Sequence, residues 1–138
     1  MFRYERPVRF ADVDAARIVF FARYLEYCHD ALEALFGQLP GGYAALTMER
    51  DVGIPSVHVE VDYRAPLAYG DVAVIAVSVE ALGTRSVTFR HDLSRLRDGV
   101  ACATVRQVVV TARLREFASV PIPDDVRALL AQHLVEAR

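Results

Sequence analysis

Two carboxylates, Asp12 and Asp14, stand two residues apart in the stretch RFADVDAARIVFFARY, residues 9–24, and are the first candidates for chemistry in the chain. In an extended segment both point the same way as Phe10, because side chains alternate with a period of two. They cannot both be ordinary helix caps. One reading makes either of them the acceptor of a backbone N–H in a turn, a role Asp favours. A second starts from Ile18, Val19, Phe20 and Phe21, an apolar wall leading into a helix whose first N–H groups are unpaired and carry partial positive charge. A carboxylate held beside that wall can attack a carbonyl, or activate water against it, while those N–H groups stabilise the oxyanion. That is a geometry for acyl transfer.

The elements that must position these acids follow from periodicity. Phe2, Tyr4, Val8, Phe10 and Val13 suit a first strand from about Phe2 to Val13, interrupted or edged by Pro7. From Ala22 to Phe36, Tyr24, Leu25, Cys28, Ala31, Leu32, Leu35 and Phe36 recur at helical spacing, opposite a polar stripe of Arg23, Glu26, Asp30 and Glu33. Gly37 supplies its C-cap and Pro40-Gly41-Gly42 a loop. Residues from Pro55 to Arg115 read as strand throughout, with Val57, Val59, Val61 and Tyr63 predicted as the buried face of the first run. Gly83 and Arg97-Asp98-Gly99 turn the hairpins. The run from Val100 to Arg115 is too long for an ordinary strand and has to bend or bulge. After Pro121 and Pro123, Asp124 and Asp125 precede a short helix carrying Val126, Leu129, Leu130 and Leu134. This order predicts an α+β domain with a strongly curved antiparallel sheet and the helix from Ala22 to Phe36 in its concave face.

Bulk properties exclude several classes. The 138 residues fit one domain, and a hydrophobic content of 54% with 25% charged residues is that of a globular chain. Sixteen basic and eighteen acidic residues are spread without a basic block, which argues against nucleic acid. No window approaches a membrane span and the N-terminus lacks the apolar core of a signal peptide, so a cytoplasmic protein is expected. Cys28 and Cys102, the two cysteines, read as reduced core residues. His58, His91 and His133 are not at ligand spacing from His29-Asp30, and neither a metal nor an organic cofactor is expected.

Asp12-x-Asp14, the apolar-aromatic run and Tyr24 ten residues after the second Asp together resemble the 4-hydroxybenzoyl-CoA thioesterase-like branch of the hotdog-fold acyl-CoA thioesterases. VEVDYRAP (Val59 to Pro66), Tyr69-Gly70-Asp71-Val72, Gly83-Thr84-Arg85-Ser86 and Val120-Pro121 fall in the expected order, so the resemblance covers almost the whole chain. It implies one hotdog domain over residues 1–138, a sheet wrapped around a long central helix, homodimers or homotetramers, and hydrolysis of an acyl-CoA to free acid and CoA. Asp14 maps onto the catalytic acid, nucleophile or general base, and the N–H of Phe21 onto the group that polarises the thioester carbonyl. Arg85 sits where the family places basic residues against the CoA phosphates, with Ser86 beside it as a hydroxyl contact, and Tyr24 and His29, on the helix from Ala22 to Phe36, are further candidate substrate contacts. The chain departs from the family at Arg17, where glycine is usual, at Phe21, where His or Tyr is common, and at Arg23, where Asn is usual.

Each of these residues has a plainer reading as well. Arg17 and Arg23 are either stabilisers of an anion or solvated surface residues, and an Arg17 pair with Asp14 would depress the acid's basicity. Tyr24 and Tyr27 fit as helix-packing aromatics, His29 as a half-exposed flank of the apolar stripe, and Arg85 as a strand-edge charge. Cys28 and His29, adjacent on a helix, point about 100° apart and do not form a thiol-imidazole pair. His91 shares a face with Val87, Phe89 and Leu93 and reads as a satisfied core or interface histidine, with His58 on a polar face. The competing functions are a non-hydrolytic acyl-CoA binding module of the same fold, a hydratase, which would be expected to use His, and a cone-shaped α+β isomerase.

Overall fold

A computed structural model describes residues 1–136. Its main sheet has five antiparallel strands, β1 (Phe2–Pro7), β3 (Ser56–Tyr63), β4 (Val72–Leu82), β5 (Ser86–Arg95) and β6 (Ala101–Val110), in the order β1-β4-β5-β6-β3. Three two-residue strands, β2 (Val52–Gly53), β7 (Ala112–Arg113) and β8 (Ala118–Ser119), make a second small sheet. The helices are α1 (Arg23–Phe36), a short α2 (Gly42–Ala44) running into a π-helical turn at Ala45–Glu49, and α3 (Asp124–Ala131). No helix among the described residues is long and apolar enough to cross a membrane.

The fourteen-residue α1 has no side-chain cap at its start. Packing holds it instead: Tyr27, Ala31, Leu35 and Phe36 are fully buried against the sheet residues Ile75, Val77, Phe89 and Val105. Fully burying side chains of this size stabilises by ~1.5–3 kcal/mol each, which outweighs a missing cap worth ~1 kcal/mol. The uncapped end leaves donors free, as the site below requires.

Several boundaries differ from expectation for local reasons. The first strand ends at Pro7, not near Val13, and a 3-10 turn at Phe10–Asp12 follows. Strand does not run unbroken from Pro55, since Arg64–Asp71 form bends and turns between β3 and β4. The long last run breaks at buried Thr111, where the chain leaves the main sheet to pair in the small one. Gly41 and Gly42 take the positive φ of a loop, but the helical turns after them were not foreseen. The C-terminal helix stops at Ala131, so Leu134 lies beyond it and half exposed, while the following backbone pairs with Val79.

The expected buried face of β3 is buried only in part. Val61 packs against the core and Tyr63 edge-on against Tyr24 of α1, but Val57 is 61% exposed, Val59 41% and Tyr63 46%, because the helix covers only part of this edge strand.

Candidate active site

The segment from β1 to α1 is built around Asp12. Its Oδ2 accepts the Arg9 N–H at 2.9 Å and the Tyr27 hydroxyl at 2.8 Å, with Arg6 Nη1 at 3.7 Å, and Arg23 Nε lies 4.0 Å from Oδ1. Burial pushes the Asp12 carboxyl up, but the Arg9 and Tyr27 hydrogen bonds and the two guanidinium charges outweigh it and hold it below its ordinary value. Asp12 is thus a buried turn acceptor that ties the strand end to the helix.

Asp14 has the opposite surroundings. The chain reverses at this point: the Asp14 N–H donates to Ile18 O at 3.0 Å, the Arg17 N–H to Asp14 O at 2.9 Å, and Val13 bridges Val19 antiparallel. Arg17 sits at φ +67°, the left-handed conformation that glycine adopts cheaply, so arginine performs the backbone task at this turn. The Ala16 N–H donates to Asp14 Oδ1 at 2.8 Å, leaving Oδ2 free of protein partners, and among the described residues Asp14 has no ion pair, to Arg17 or to any other cation. The carboxylate is exposed at the rim of a cavity of about 450 Å³ lined by Ile18, Phe21, Tyr24, Tyr63, Arg64 and Pro66 among others.

Phe21 forms part of that wall at the entrance of α1. Its N–H has no acceptor among the described residues, while its carbonyl accepts the Tyr63 hydroxyl at 2.7 Å. Tyr24 is buried, stacks edge-on against Tyr63 with centroids 5.1 Å apart, and accepts the Leu67 N–H on its own hydroxyl at 3.2 Å. Asp14, with a carboxylate oxygen free, and Phe21, with its main-chain N–H unpaired, therefore line one largely apolar cavity.

The chain matches the family model of the thioesterase-like superfamily over residues 8–130. It belongs to the thioesterase-like superfamily. It is 32% identical over 121 residues to a 1,4-dihydroxy-2-naphthoyl-CoA hydrolase of Synechococcus elongatus, covering 87% of this chain and 89% of that relative. Among solved structures, a thioesterase superfamily protein from Jannaschia shares 30% identity at a TM-score of 0.88, over 97% of this chain and 93% of that one. A gentisyl-coenzyme A thioesterase shares 29% identity at a TM-score of 0.81, over 93% and 98% of the two chains. Antiparallel sheet and few helices agree with the hotdog fold of this superfamily.

Within this thioesterase-like chain the residues read from the sequence fall into three places. Asp14, Phe21 and Tyr24 share the 450 Å³ cavity. His29 does not join them; it lies farther along α1, between a smaller cavity and an open, polar cleft of about 740 Å³ beside β1. Both acids of that cleft are paired, Asp30 with Arg6 at 3.2 Å and Glu26 with Arg23 at 2.7 Å. Arg85 and Ser86 occupy the β4–β5 turn, where Arg85 Nη1 donates to Ser119 O at 2.9 Å and Ser119 Oγ at 3.0 Å. Ser86 is level with Val110 at one end of β6, and Tyr63 is level with Ala103 near the other. Seven residues of strand separate the two levels, about 23 Å, so one chain does not bring Arg85 to its own Asp14.

Tyr63 and Arg64 line the cavity and were not singled out from the sequence, although both lie in the quoted VEVDYRAP run. Tyr63 was assigned to a buried sheet face. The aromatic at the strand end, followed by Arg and a Pro that stops the strand, was the available signal. Among the described residues no group of three His, Cys, Asp or Glu side chains is placed to share a metal ion.

Proposed function

We propose that this chain hydrolyses an aromatic acyl-CoA thioester, with Asp14 as the catalytic residue. The observation that carries the reading is the Asp14 carboxylate, without an ion pair, beside a largely apolar cavity also lined by Phe21, whose N–H has no acceptor among the described residues. Thioester hydrolysis is the reaction of the named relatives, and two of them, a dihydroxynaphthoyl-CoA hydrolase and a gentisyl-CoA thioesterase, act on hydroxylated aromatic rings by name.

The acyl carbonyl sits against the α1 entrance, and the Phe21 N–H and the positive end of the helix hold the oxygen as it gains charge. Asp14 Oδ2 then either adds to the carbonyl carbon, expelling the CoA thiolate and leaving a mixed anhydride that water cleaves, or removes a proton from the water that adds directly. In both routes the acid and CoA leave and Asp14 returns to its carboxylate. Tyr63 fixes the Phe21 peptide through its carbonyl, and Tyr24 packs edge-on against it in the cavity wall.

The finer picture is of one hotdog domain with α1 as the helix around which the sheet wraps. Two copies pair through the β3 edge, which closes the cavity and hides Val57, Val59 and Tyr63. Antiparallel pairing of two β3 edges sets the Ser56 end of one copy by the Tyr63 end of the other. This brings the partner's β4–β5 turn nearer to Asp14, so that CoA phosphates meet a neighbour's Arg85 and Ser86.

The test is release of free thiol from a panel of aryl and fatty acyl-CoA esters, with Asp14→Asn alongside. Turnover of aryl esters by the wild type and its loss in the variant are expected. Tight binding without thiol release would support the acyl-CoA binding module instead; its motivation at Arg17 weakens because arginine adopts the left-handed turn.

A further inference from the structure

A second cavity of about 230 Å³ lies on the same side of α1, bounded by Leu25, Cys28 and His29 of the helix, Ser56 and Val59 of β3, and Val105 and Gln107 of β6. Phe21 and Tyr24 serve the Asp14 cavity and Leu25 and Cys28 this one, so the two cavities follow each other along α1 where it faces β3. From Phe21 to the Leu25–His29 segment is about 6 to 12 Å along the helix axis. A one- or two-ring acyl group reaches that far from its carbonyl carbon.

At the end of the second cavity Gln107 Nε2 donates to Ser56 Oγ at 2.8 Å, and Gln107 Oε1 lies 2.9 Å from Nε2 of His91. His91 is fully buried beside Phe89, and its Nδ1 has no partner. Burial drives its pKa down to about 4, the Gln107 hydrogen bond and the Asp92 charge opposing only in part, so the ring is neutral near pH 7. A neutral imidazole carries one proton. Placed on Nδ1 it would be a stranded buried donor, whereas on Nε2 it meets Gln107 Oε1 and leaves only a bare lone pair, the cheaper defect. His91 thereby fixes the Gln107 amide with its NH₂ turned to Ser56 and the cavity. Ser56 Oγ accepts one of those hydrogens, so its own O–H is free to donate, and Gln107 keeps a second N–H.

We infer that Gln107 and Ser56, with Gln107 oriented by His91, form a specificity site for an oxygen substituent on the distal part of an aromatic acyl ring. This rests on the thioesterase reading of the Asp14 cavity, and adds to it which rings are accepted. Two donors at the end of this cavity favour a phenolic oxygen, and a ring lacking it forgoes those hydrogen bonds. His91 is a positioning residue here, because it acts through Gln107.

The experiment compares benzoyl-CoA with its hydroxybenzoyl-CoA isomers as a ratio of kcat/KM within each protein, so that loss of folded enzyme cancels. The wild type is expected to prefer at least one hydroxylated ester by about tenfold, the worth of one good hydrogen bond. Gln107→Leu should bring that ratio close to one, and Ser56→Ala should lower it part of the way. Equal use of hydroxylated and plain rings by the wild type, or an undiminished ratio in both variants, overturns the proposal. If no ester is hydrolysed, the thioesterase reading fails by itself, and the same ratio read as equilibrium dissociation constants still decides the ring-oxygen site.

Discussion

Asp12 and Asp14 are one residue apart from being neighbours, and their environments differ in every respect that matters. Asp12 is 3% exposed, and a single oxygen of it serves a backbone N–H, a tyrosine and an arginine. Asp14 is exposed, uses one oxygen to hold its own turn, and keeps the other at a cavity rim without a cation. A carboxylate saturated with donors stabilises a fold and is a poor base; one left half-satisfied beside an apolar slot can act as nucleophile or base. Asp12 ends the 3-10 turn that follows β1, whereas Asp14 opens the chain reversal to Ile18, and these two local folds give the acids their different partners.

The largest effect that can break this contrast is on rate. Asp14→Asn keeps an oxygen for the Ala16 N–H, so the folded state should change by ~0.5 kcal/mol or less while thiol release falls by roughly 10³-fold. Retained activity would remove Asp14 from the mechanism. Asp12→Ala should do the reverse, costing ~3 kcal/mol in urea unfolding because Arg6, Tyr27 and the Arg9 N–H lose their shared acceptor. Its pH dependence has a definite sign. The Asp12 carboxyl is lowered in the folded state, so its stabilisation is complete above the ordinary value near 3.8 and is lost as pH falls through the lower folded value. Unfolding midpoints measured below pH 4 should therefore fall less steeply in Asp12→Ala than in the wild type. Tyr27→Phe removes one donor only and should cost about 2 kcal/mol, with the Asp14 turnover intact.

The contrast itself was only partly legible in the sequence. Periodicity alone located α1 to within one residue, since its apolar stripe is set by local spacing, and the Asp-x-Asp pair raised the reading that one acid is a turn acceptor. Which acid is the buried one depends on Tyr27, fifteen residues later, and on Arg6 from β1, contacts that no local pattern contains. The cavity wall at Tyr63 and Arg64 depends on β3 crossing near the α1 entrance, which is a property of the strand order β1-β4-β5-β6-β3. The alternation of Val57, Val59, Val61 and Tyr63 predicted a strand correctly but a buried face that is buried only in part, because alternation reports which residues share a face and not what covers it. The Arg85–Ser86 placement was legible only by resemblance, and the register puts it at the far end of the same chain's sheet.

The smallest effect tests how Asp14 is held. At φ +67°, Arg17 carries the left-handed penalty of about 1 kcal/mol that a Cβ imposes, and glycine would remove it. Part of that gain is offset, because glycine also frees the unfolded chain by ~0.4–1 kcal/mol. Arg17→Gly alone should thus be close to neutral and uninformative. Arg17→Ala is the needed partner: it deletes the same guanidinium but keeps the Cβ. If the Asp14–Arg17 turn keeps its left-handed residue in solution, glycine should equal or exceed alanine in thermal midpoint, where alanine normally wins at a right-handed position. Both variants should keep thiol release within about twofold, since Arg17 has no ion pair to Asp14. Alanine clearly above glycine would mean that the turn relaxes to another conformation, and the Asp14 Oδ2 position at the cavity rim would lose its backbone support.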